Sequence, residues 1–252
     1  GEGELWVVYG HGLTESMADC DKYVNWTSVL GGGGGGGEEG GGRGVVWGAS
    51  GTPAVRRLLV YDARGHGAST AAAGSDMDAD PIALTWPSLA ADQIELVDSL
   101  WGRSGTSDPR DNNKPTASER DLSEMKPVVV AGASMGCGTA LNVALTRPQK
   151  VDKLVLVIPS TAWELRVPRV KGYLATADMV EEQGMGFLLA AANRAVPPDP
   201  LKADVEATAA FREHRRTSLA AWKPDKLAHA FRGAAASVFP PKEDLARIAV
   251  PT

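Results

Sequence analysis

The sequence predicts an α/β fold with a mostly parallel, doubly wound sheet. Four short apolar runs, at residues 5–10, 57–62, 127–132 and 153–158, have the length and composition of buried strands. Helical or loop segments separate them, which is typical of parallel strands with helices on both faces. With 252 residues and 43% hydrophobic content, the chain can build one substantial core.

Each of the first two strands is followed by a short turn sequence that contains histidine and glycine. The strand at 5–10 runs into His11 and Gly12, and the strand from Arg57 ends in D-x-R-G-H-G-x-S at residues 62–69. Further on, apolar residues at 86–101 recur at helical spacing and predict a helix.

The third strand leads into the most informative segment of the chain. An apolar run from Pro127 is followed by Gly132-Ala-Ser134-Met-Gly136 and then by a helical pattern. Strand, G-x-S-x-G and helix together indicate a nucleophile elbow, a strained turn that holds a serine hydroxyl above the sheet. The glycines allow the strand and helix backbones to approach each other. A chance match is the alternative, because the chain contains 29 glycines.

In this order and at these distances, the three strand-and-turn segments resemble the α/β-hydrolase fold superfamily. Within it, the chain is most similar to lid-bearing serine hydrolases of the AB hydrolase-1 type. The run at 147–159 is similar to the strand that follows the elbow helix in these proteins. The resemblance is good over residues 4–30, 55–101 and 125–165, and loose over the lid.

The resemblance implies a role for several residues. Ser134 is expected to be the nucleophile, and the backbone N–H groups of Met135 and Leu13 are expected to form the oxyanion hole. Gly12 suits a loop that turns a backbone N–H towards the substrate. Trp163 lies where a lid would leave the core, so it either lines the substrate pocket or packs.

The catalytic base is harder to find. A serine needs an imidazole base oriented by a carboxylate, and in this fold both follow the serine in the chain. The histidines after Ser134 are His214 and His229, and both lie in predicted helices rather than after a strand. His11 precedes the serine, as does His66, which is expected to hold its turn together with Asp62 and Arg64.

The two ends of the sequence bear on this problem. Residues 245–252 resemble the approach to the seventh strand of the superfamily, and the chain opens close to its third. We therefore expect a fragment whose catalytic acid and histidine lie beyond Thr252. A pseudoenzyme that never had them is the alternative.

Residues 1–160 are expected to form the hydrolase core, with insertions at 31–54 and 102–126. The first is glycine-rich and cannot bury apolar surface, so it predicts a flexible surface insertion. A nucleotide-binding loop is disfavoured, because no strand feeds into the run and no Lys-Ser/Thr follows it. The second is rich in polar residues and predicts a loop.

After residue 158 the alternation of strands and helices stops. Helical patterns at 175–192, 201–221 and 225–236 follow with no strand signal between them. They predict a helical lid at 161–240, with outer helices of the core as the alternative. Residues 241–252 are expected to return towards the core and to be truncated there.

Charge and cysteine content exclude several classes of protein. The net charge is −5 without a basic stripe, which argues against nucleic-acid binding. No apolar run reaches the roughly 18 residues of a membrane span. Cys20 and Cys137 are too few for a disulfide framework or a zinc site, and Cys137 is expected to be a small buried hydrophobe. No cofactor or metal is expected, and a soluble, cytoplasmic protein with a small-molecule substrate is favoured.

The predicted function is a serine hydrolase that acts on an ester, lactone or thioester through an acyl-serine. A cofactor-free lyase or acyltransferase on the same scaffold is an alternative, and a non-catalytic ligand-binding protein is another. Epoxide hydrolases and dehalogenases of this fold use a carboxylate nucleophile, so a serine at position 134 argues against both. The chain as given is expected to have at most residual activity.

Overall fold

The computed structural model describes residues 5–20, 45–46, 56–69, 80–101, 128–160 and 162–250. In this part of the chain a five-stranded sheet has the order β2-β3-β1-β4-β5. Neighbouring strands are parallel except β2, which runs antiparallel to β3. The strands are β1 (Leu5–Gly10), β2 (Val45–Val46), β3 (Arg56–Val60), β4 (Val128–Ala133) and β5 (Val151–Val157).

The four predicted strands therefore lie side by side in one parallel sheet, which confirms the predicted fold class. Only Val45–Val46 of the insertion at 31–54 is described, as the short antiparallel strand. The rest of that insertion, the loop at 102–126 and residues 21–30 lie outside the described residues.

Alternate residues of the strands point to two separate apolar clusters, as the pleat of a sheet requires. On one face, Val8 and Val130 pack with residues of two helices, α1 (Trp86–Trp101) and α2 (Met135–Thr146). On the other face, Tyr9 and Ala131 belong to a smaller cluster. The predicted helix at 86–101 is confirmed.

A helical segment follows β5, and the described residues contain no strand between 158 and 250. It has its own buried cluster, which includes Val180, Leu227 and Phe231. The pattern at 175–192 forms two helices rather than one, because Gly184 ends the first of them at φ 74°. The helices are α3 (Arg166–Gln183), α4 (Gly186–Asn193), α5 (Asp199–Lys202), α6 (Val205–Ala220), α7 (Pro224–Ala236) and α8 (Lys242–Leu245).

Arg166 ties both ends of this helical segment to the sheet domain. Its guanidinium donates to the carbonyl oxygens of Ser237, at 2.9 Å, and of Ala234. It also lies 4.2 Å from the centre of the Trp86 ring, in cation–π contact. The Trp86 backbone N–H in turn donates to the Ser237 hydroxyl at 3.0 Å.

No described helix is long and apolar enough to cross a membrane.

The packing of α2 on the sheet depends on glycines. A Cβ atom on Gly132 would collide with the backbone carbonyl of Gly136, and a Cβ atom on Gly136 would collide with the carbonyl of Gly10. Backbone atoms cannot move aside as a flexible side chain can. The first turn of α2 is thereby held against the ends of β4 and β1.

We predict that Gly132→Ala destabilises the fold by roughly 1–3 kcal/mol or more, because the added methyl overpacks a backbone contact. Gly172→Ala is the matched control. It lies in α3 with nothing within 4 Å of its Cβ position, so it is expected to stabilise the protein by about 0.5–1 kcal/mol. Urea unfolding of both variants measures this. Equal effects at the two positions would contradict the close approach.

Candidate active site

Ser134 lies between the last residue of β4 and the first residue of α2, as a nucleophile elbow requires. Its backbone has φ 50° and ψ −107°, a conformation that costs a non-glycine residue on the order of 1–3 kcal/mol. The Ser134 N–H donates to the Val157 carbonyl of β5 at 3.0 Å, which fixes the turn. The half-buried side chain makes no capping bond to α2, so the hydroxyl is not committed to the helix.

Cys137, one turn into α2, has no sign of a reactive thiol. It is completely buried, and its Sγ lies 3.1 Å from the Gly132 carbonyl and 3.2 Å from that of Val157. Burial raises the pKa of the thiol to about 11. A protonated, buried thiol is a packing group rather than a nucleophile.

The turn after β1 presents the backbone N–H of Leu13. The peptide unit that carries this N–H also carries the Gly12 carbonyl, which accepts hydrogen bonds from His11 Nδ1 at 2.8 Å and from the Glu15 N–H at 3.1 Å. The Glu15 carboxylate accepts the Gly12 N–H at 2.9 Å. Within the described part of the chain, the N–H groups of Leu13 and Met135 have no partner.

His11 is the residue that orients this peptide unit. Its Nε2 accepts the Ala63 N–H at 2.9 Å, so the ring proton lies on Nδ1, which faces the Gly12 carbonyl. Burial lowers the pKa of His11 and keeps the ring neutral. With both nitrogens engaged by backbone groups, His11 cannot accept the proton of Ser134.

His66 is also enclosed by backbone and aromatic groups. Its ring nitrogens lie 2.9 Å from the Arg64 carbonyl and 3.0 Å from the Leu13 carbonyl. The rings of His11 and Trp222 are each centred 5.0 Å away. Burial, with a smaller contribution from His11, lowers the pKa of His66 to about 4, although the two carbonyls oppose this shift. The neutral ring donates to one carbonyl at a time.

The remaining polar residues of this turn hold the loops around it. Asp62 accepts the N–H groups of Met17, at 2.7 Å, and of Ala68, at 2.8 Å. Arg64 pairs with Asp92 of α1, with its Nε 2.8 Å from the carboxylate. These contacts lie within the turn and its neighbours, as expected from the sequence.

Trp163 contacts the segment that leads from α7 into α8. Its indole Nε1 donates to the Pro240 carbonyl at 3.1 Å, its ring is centred 5.9 Å from that of Phe239, and Lys242 Nζ lies 5.1 Å from its centre. The sequence left two roles open for Trp163, packing and lining of the substrate pocket, and these contacts are packing contacts. Contact with substrate stays a prediction.

The two histidines of the helical segment form no hydrogen bond with Ser134 among the described residues. His214 Nε2 lies 3.0 Å from Asp19 Oδ1, off the direction that a hydrogen bond requires. His229 lies in α7, where its Nδ1 is buried without a partner in the described part of the chain. Among the described residues, no group of three His, Cys, Asp or Glu side chains could hold a metal ion.

A parallel sheet with a strained serine between one of its strands and the following helix is the arrangement of the α/β hydrolases. A model described as the alpha/beta hydrolase family matches residues 10–252, and the chain belongs to this family. No curated protein matches the sequence.

Several solved structures are similar in fold. A hydrolase from Pseudomonas aeruginosa PA01 is 21% identical, with a TM-score of 0.61 over 99% of this chain and 70% of its own. A thermophilic esterase from Thermogutta terrifontis, solved with malate bound, is 18% identical, with a TM-score of 0.63 over 100% and 70%. An enol-lactonase from Burkholderia xenovorans LB400 is 18% identical, with a TM-score of 0.58 over 99% and 71%. At these identities the likeness shows the fold alone.

The backbone strain at Ser134 predicts a particular order of stability. Ser134→Gly is expected to be about 1 kcal/mol more stable than Ser134→Ala, because glycine tolerates a positive φ at little steric cost. This gain exceeds the extra chain entropy that glycine loses on folding. Denaturant unfolding of the pair tests it, and a more stable alanine variant would show that the turn is unstrained.

The lowered pKa of His66 predicts a loss of stability in acid. An unfolded chain binds a proton at its ordinary value of 6.5, whereas the folded ring does so only at about 4. The free energy of unfolding should therefore fall by up to about 3 kcal/mol between pH 6.5 and 4, and level off below. Urea midpoints across this range should fall less steeply in His66→Gln. Parallel slopes would mean that the folded ring already carries the proton.

Proposed function

We propose that this chain is a serine-type α/β hydrolase in which Ser134 attacks the carbonyl of an ester, lactone or thioester. The observation that carries the proposal is the strained serine at the start of α2. The N–H groups of Met135, the next residue, and of Leu13 have no partner among the described residues. The esterase and the enol-lactonase among the structural neighbours support this choice of carbonyl substrates.

In the proposed reaction, a bond forms between Ser134 Oγ and the carbonyl carbon. The carbonyl oxygen becomes negative and is stabilised by the N–H groups of Met135 and Leu13. When the tetrahedral intermediate collapses, the bond to the leaving oxygen or sulfur breaks, and the serine proton is transferred to the leaving group. The Gly12 carbonyl accepts hydrogen bonds from His11 and Glu15. These bonds polarise the Leu13 N–H of the same peptide unit and orient it before the substrate binds.

We further propose that the helices within residues 161–240, the predicted lid, cover this site. The Leu13 side chain packs against both the main core cluster and the buried cluster of the helical segment. Trp222, between α6 and α7, reaches the Thr14 carbonyl with its indole N–H at 3.4 Å. The helices thus rest on the turn that would hold the oxyanion.

Proton transfer is the weak step in this chain. The sequence has four histidines, and the contacts of His11, His66 and His214 leave none of these three against Ser134. We therefore propose slow acylation and slower release of the acyl group. The same observation favours one second candidate, a non-catalytic protein that binds a ligand on the hydrolase scaffold.

We predict that p-nitrophenyl acetate acetylates Ser134 slowly and that the acetyl group accumulates on the protein. Added imidazole should accelerate the reaction, because it supplies the base that the serine lacks. Without it, turnover is expected to stay within the roughly 10³–10⁴-fold over water that oxyanion stabilisation and binding provide. Release of p-nitrophenol and mass spectrometry of the peptide with residue 134 measure both effects.

Ser134→Ala should abolish the imidazole-dependent acetylation, whereas Ser69→Ala, at an exposed serine, should leave it intact. Acetylation equal in Ser134→Ala and the unmodified chain would favour the ligand-binding alternative. Fast, imidazole-independent turnover that disappears in Ser134→Ala would show that a base exists within the chain.

A further inference from the structure

The segment that leaves β5 contains an isoleucine in a backbone conformation that isoleucine rarely adopts. Ile158 has φ 46°, in the left-handed region. This region is a steric outlier for a β-branched residue, and a residue before proline, here Pro159, favours extended backbone. Among the described residues, the other non-glycine residues with positive φ are Ser134 and Trp163. All three follow the carboxyl ends of β4 or β5.

Packing in the core does not compensate for the strain at Ile158. The two residues before it alternate between the faces of the sheet, since Leu156 packs with the main core cluster and Val157 with the smaller one. Ile158 belongs to none of the clusters that the described residues form, and it is 56% exposed. Strained residues of this kind are concentrated at functional sites.

The register of the sheet places Ile158 beside the elbow. The last residues of β4 and β5 lie opposite each other, and Ser134 and Ile158 are the residues that follow them. The Ser134 N–H donates at 3.0 Å to the Val157 carbonyl, which belongs to the same peptide unit as the Ile158 N–H. Further along, Ala162 packs in the core cluster that contains Met135. The chain is thus tied to the elbow on both sides of Ile158.

The strand order separates Ile158 from the proposed oxyanion donors. In the sheet, β4 lies between β1 and β5. Leu13 therefore follows the strand on one side of Ser134, and Ile158 follows the strand on the other. When a carbonyl oxygen is directed to the N–H groups of Leu13 and Met135, the substituents on its carbon point away from β1. An exposed apolar side chain on the β5 side is suited to an apolar substituent.

We propose that Ile158 is a specificity-determining residue that forms an apolar wall for the acyl chain of the substrate of Ser134. This inference rests on the proposed function and names the part of the substrate that the β5 side of the site selects. Esters with an acyl chain of several carbons should then react faster than acetyl esters. Each methylene that is fully buried against such a wall contributes about fourfold in rate.

The test compares p-nitrophenyl butyrate with p-nitrophenyl acetate, which share a leaving group. The imidazole-dependent rate of acylation at Ser134 is measured for each ester and divided by the rate of the same ester with imidazole alone. Butyrate has two more methylenes, so the chain is expected to prefer it by about tenfold. Ile158→Asn should reduce this preference to within about twofold. Ile158→Leu, which keeps an apolar side chain, should retain most of it.

Val205→Asn is the matched control. Val205 is 84% exposed at the first residue of α6. The residues of α6 that contact Asp19, in the loop after β1, are His214 and Ser218, more than two turns further along the helix. The same change from an apolar side chain to asparagine should therefore leave the preference for butyrate unchanged.

Urea unfolding distinguishes a role in specificity from a role in the fold. Asparagine tolerates the left-handed region better than isoleucine does, and the exposed side chain of Ile158 adds little to the core. Ile158→Asn should therefore raise the urea midpoint while it removes the preference for butyrate. A lower midpoint would mean that the isoleucine is held for packing, and would overturn the inference.

The remaining outcomes separate this inference from the proposed function. Normal acylation of Ser134 with an unchanged preference in Ile158→Asn would overturn the inference and leave the proposed function intact. Equal losses of preference in Ile158→Asn and Val205→Asn would do the same. Absence of acylation at Ser134 by either ester would overturn both.

Discussion

Because Gly132 and Gly136 carry no side chains, the first turn of α2 comes into backbone contact with the end of β1 at Gly10. This contact brings the elbow beside the turn that follows β1, and the rest of the candidate site depends on it. The serine and Leu13 follow the ends of neighbouring parallel strands, β4 and β1, in which Gly10 is paired to Gly132. A side chain at either elbow glycine would separate the two halves of the site.

The second layer of the site is a chain of hydrogen bonds through backbone groups. The Ala63 N–H fixes the tautomer of His11, and His11 together with Glu15 holds the Gly12 carbonyl. In a buried setting such chains strengthen each member, so the free N–H at Leu13 is a better donor than an isolated amide. The ring nitrogens of the buried His11 and His66 contact backbone groups, so neither histidine is available as a base for Ser134.

The sequence allowed the sheet, the elbow and the helix at 86–101 to be predicted, because apolar runs, paired glycines and helical spacing are local signals. It did not indicate Glu15 or Asp19, although each carboxylate bonds to a residue three positions earlier, Gly12 and Ser16. Ser16 and Asp19 do have the spacing of a helix-capping pair, and both capping bonds are present. The glycines at 184 and 186 are a local signal for the break of the helical pattern at Gly184, which the prediction of one helix over 175–192 did not use.

In the proposed site, the Leu13 and Met135 N–H groups face the same point in front of Ser134. A crystal structure of the chain with a phenylboronic acid adduct on Ser134 tests it most directly, because the tetrahedral boronate mimics the acylation intermediate. One boronate oxygen is expected within about 3 Å of both backbone nitrogens. A boronate bound to Ser134 with both of its oxygens turned away from Leu13 would contradict it.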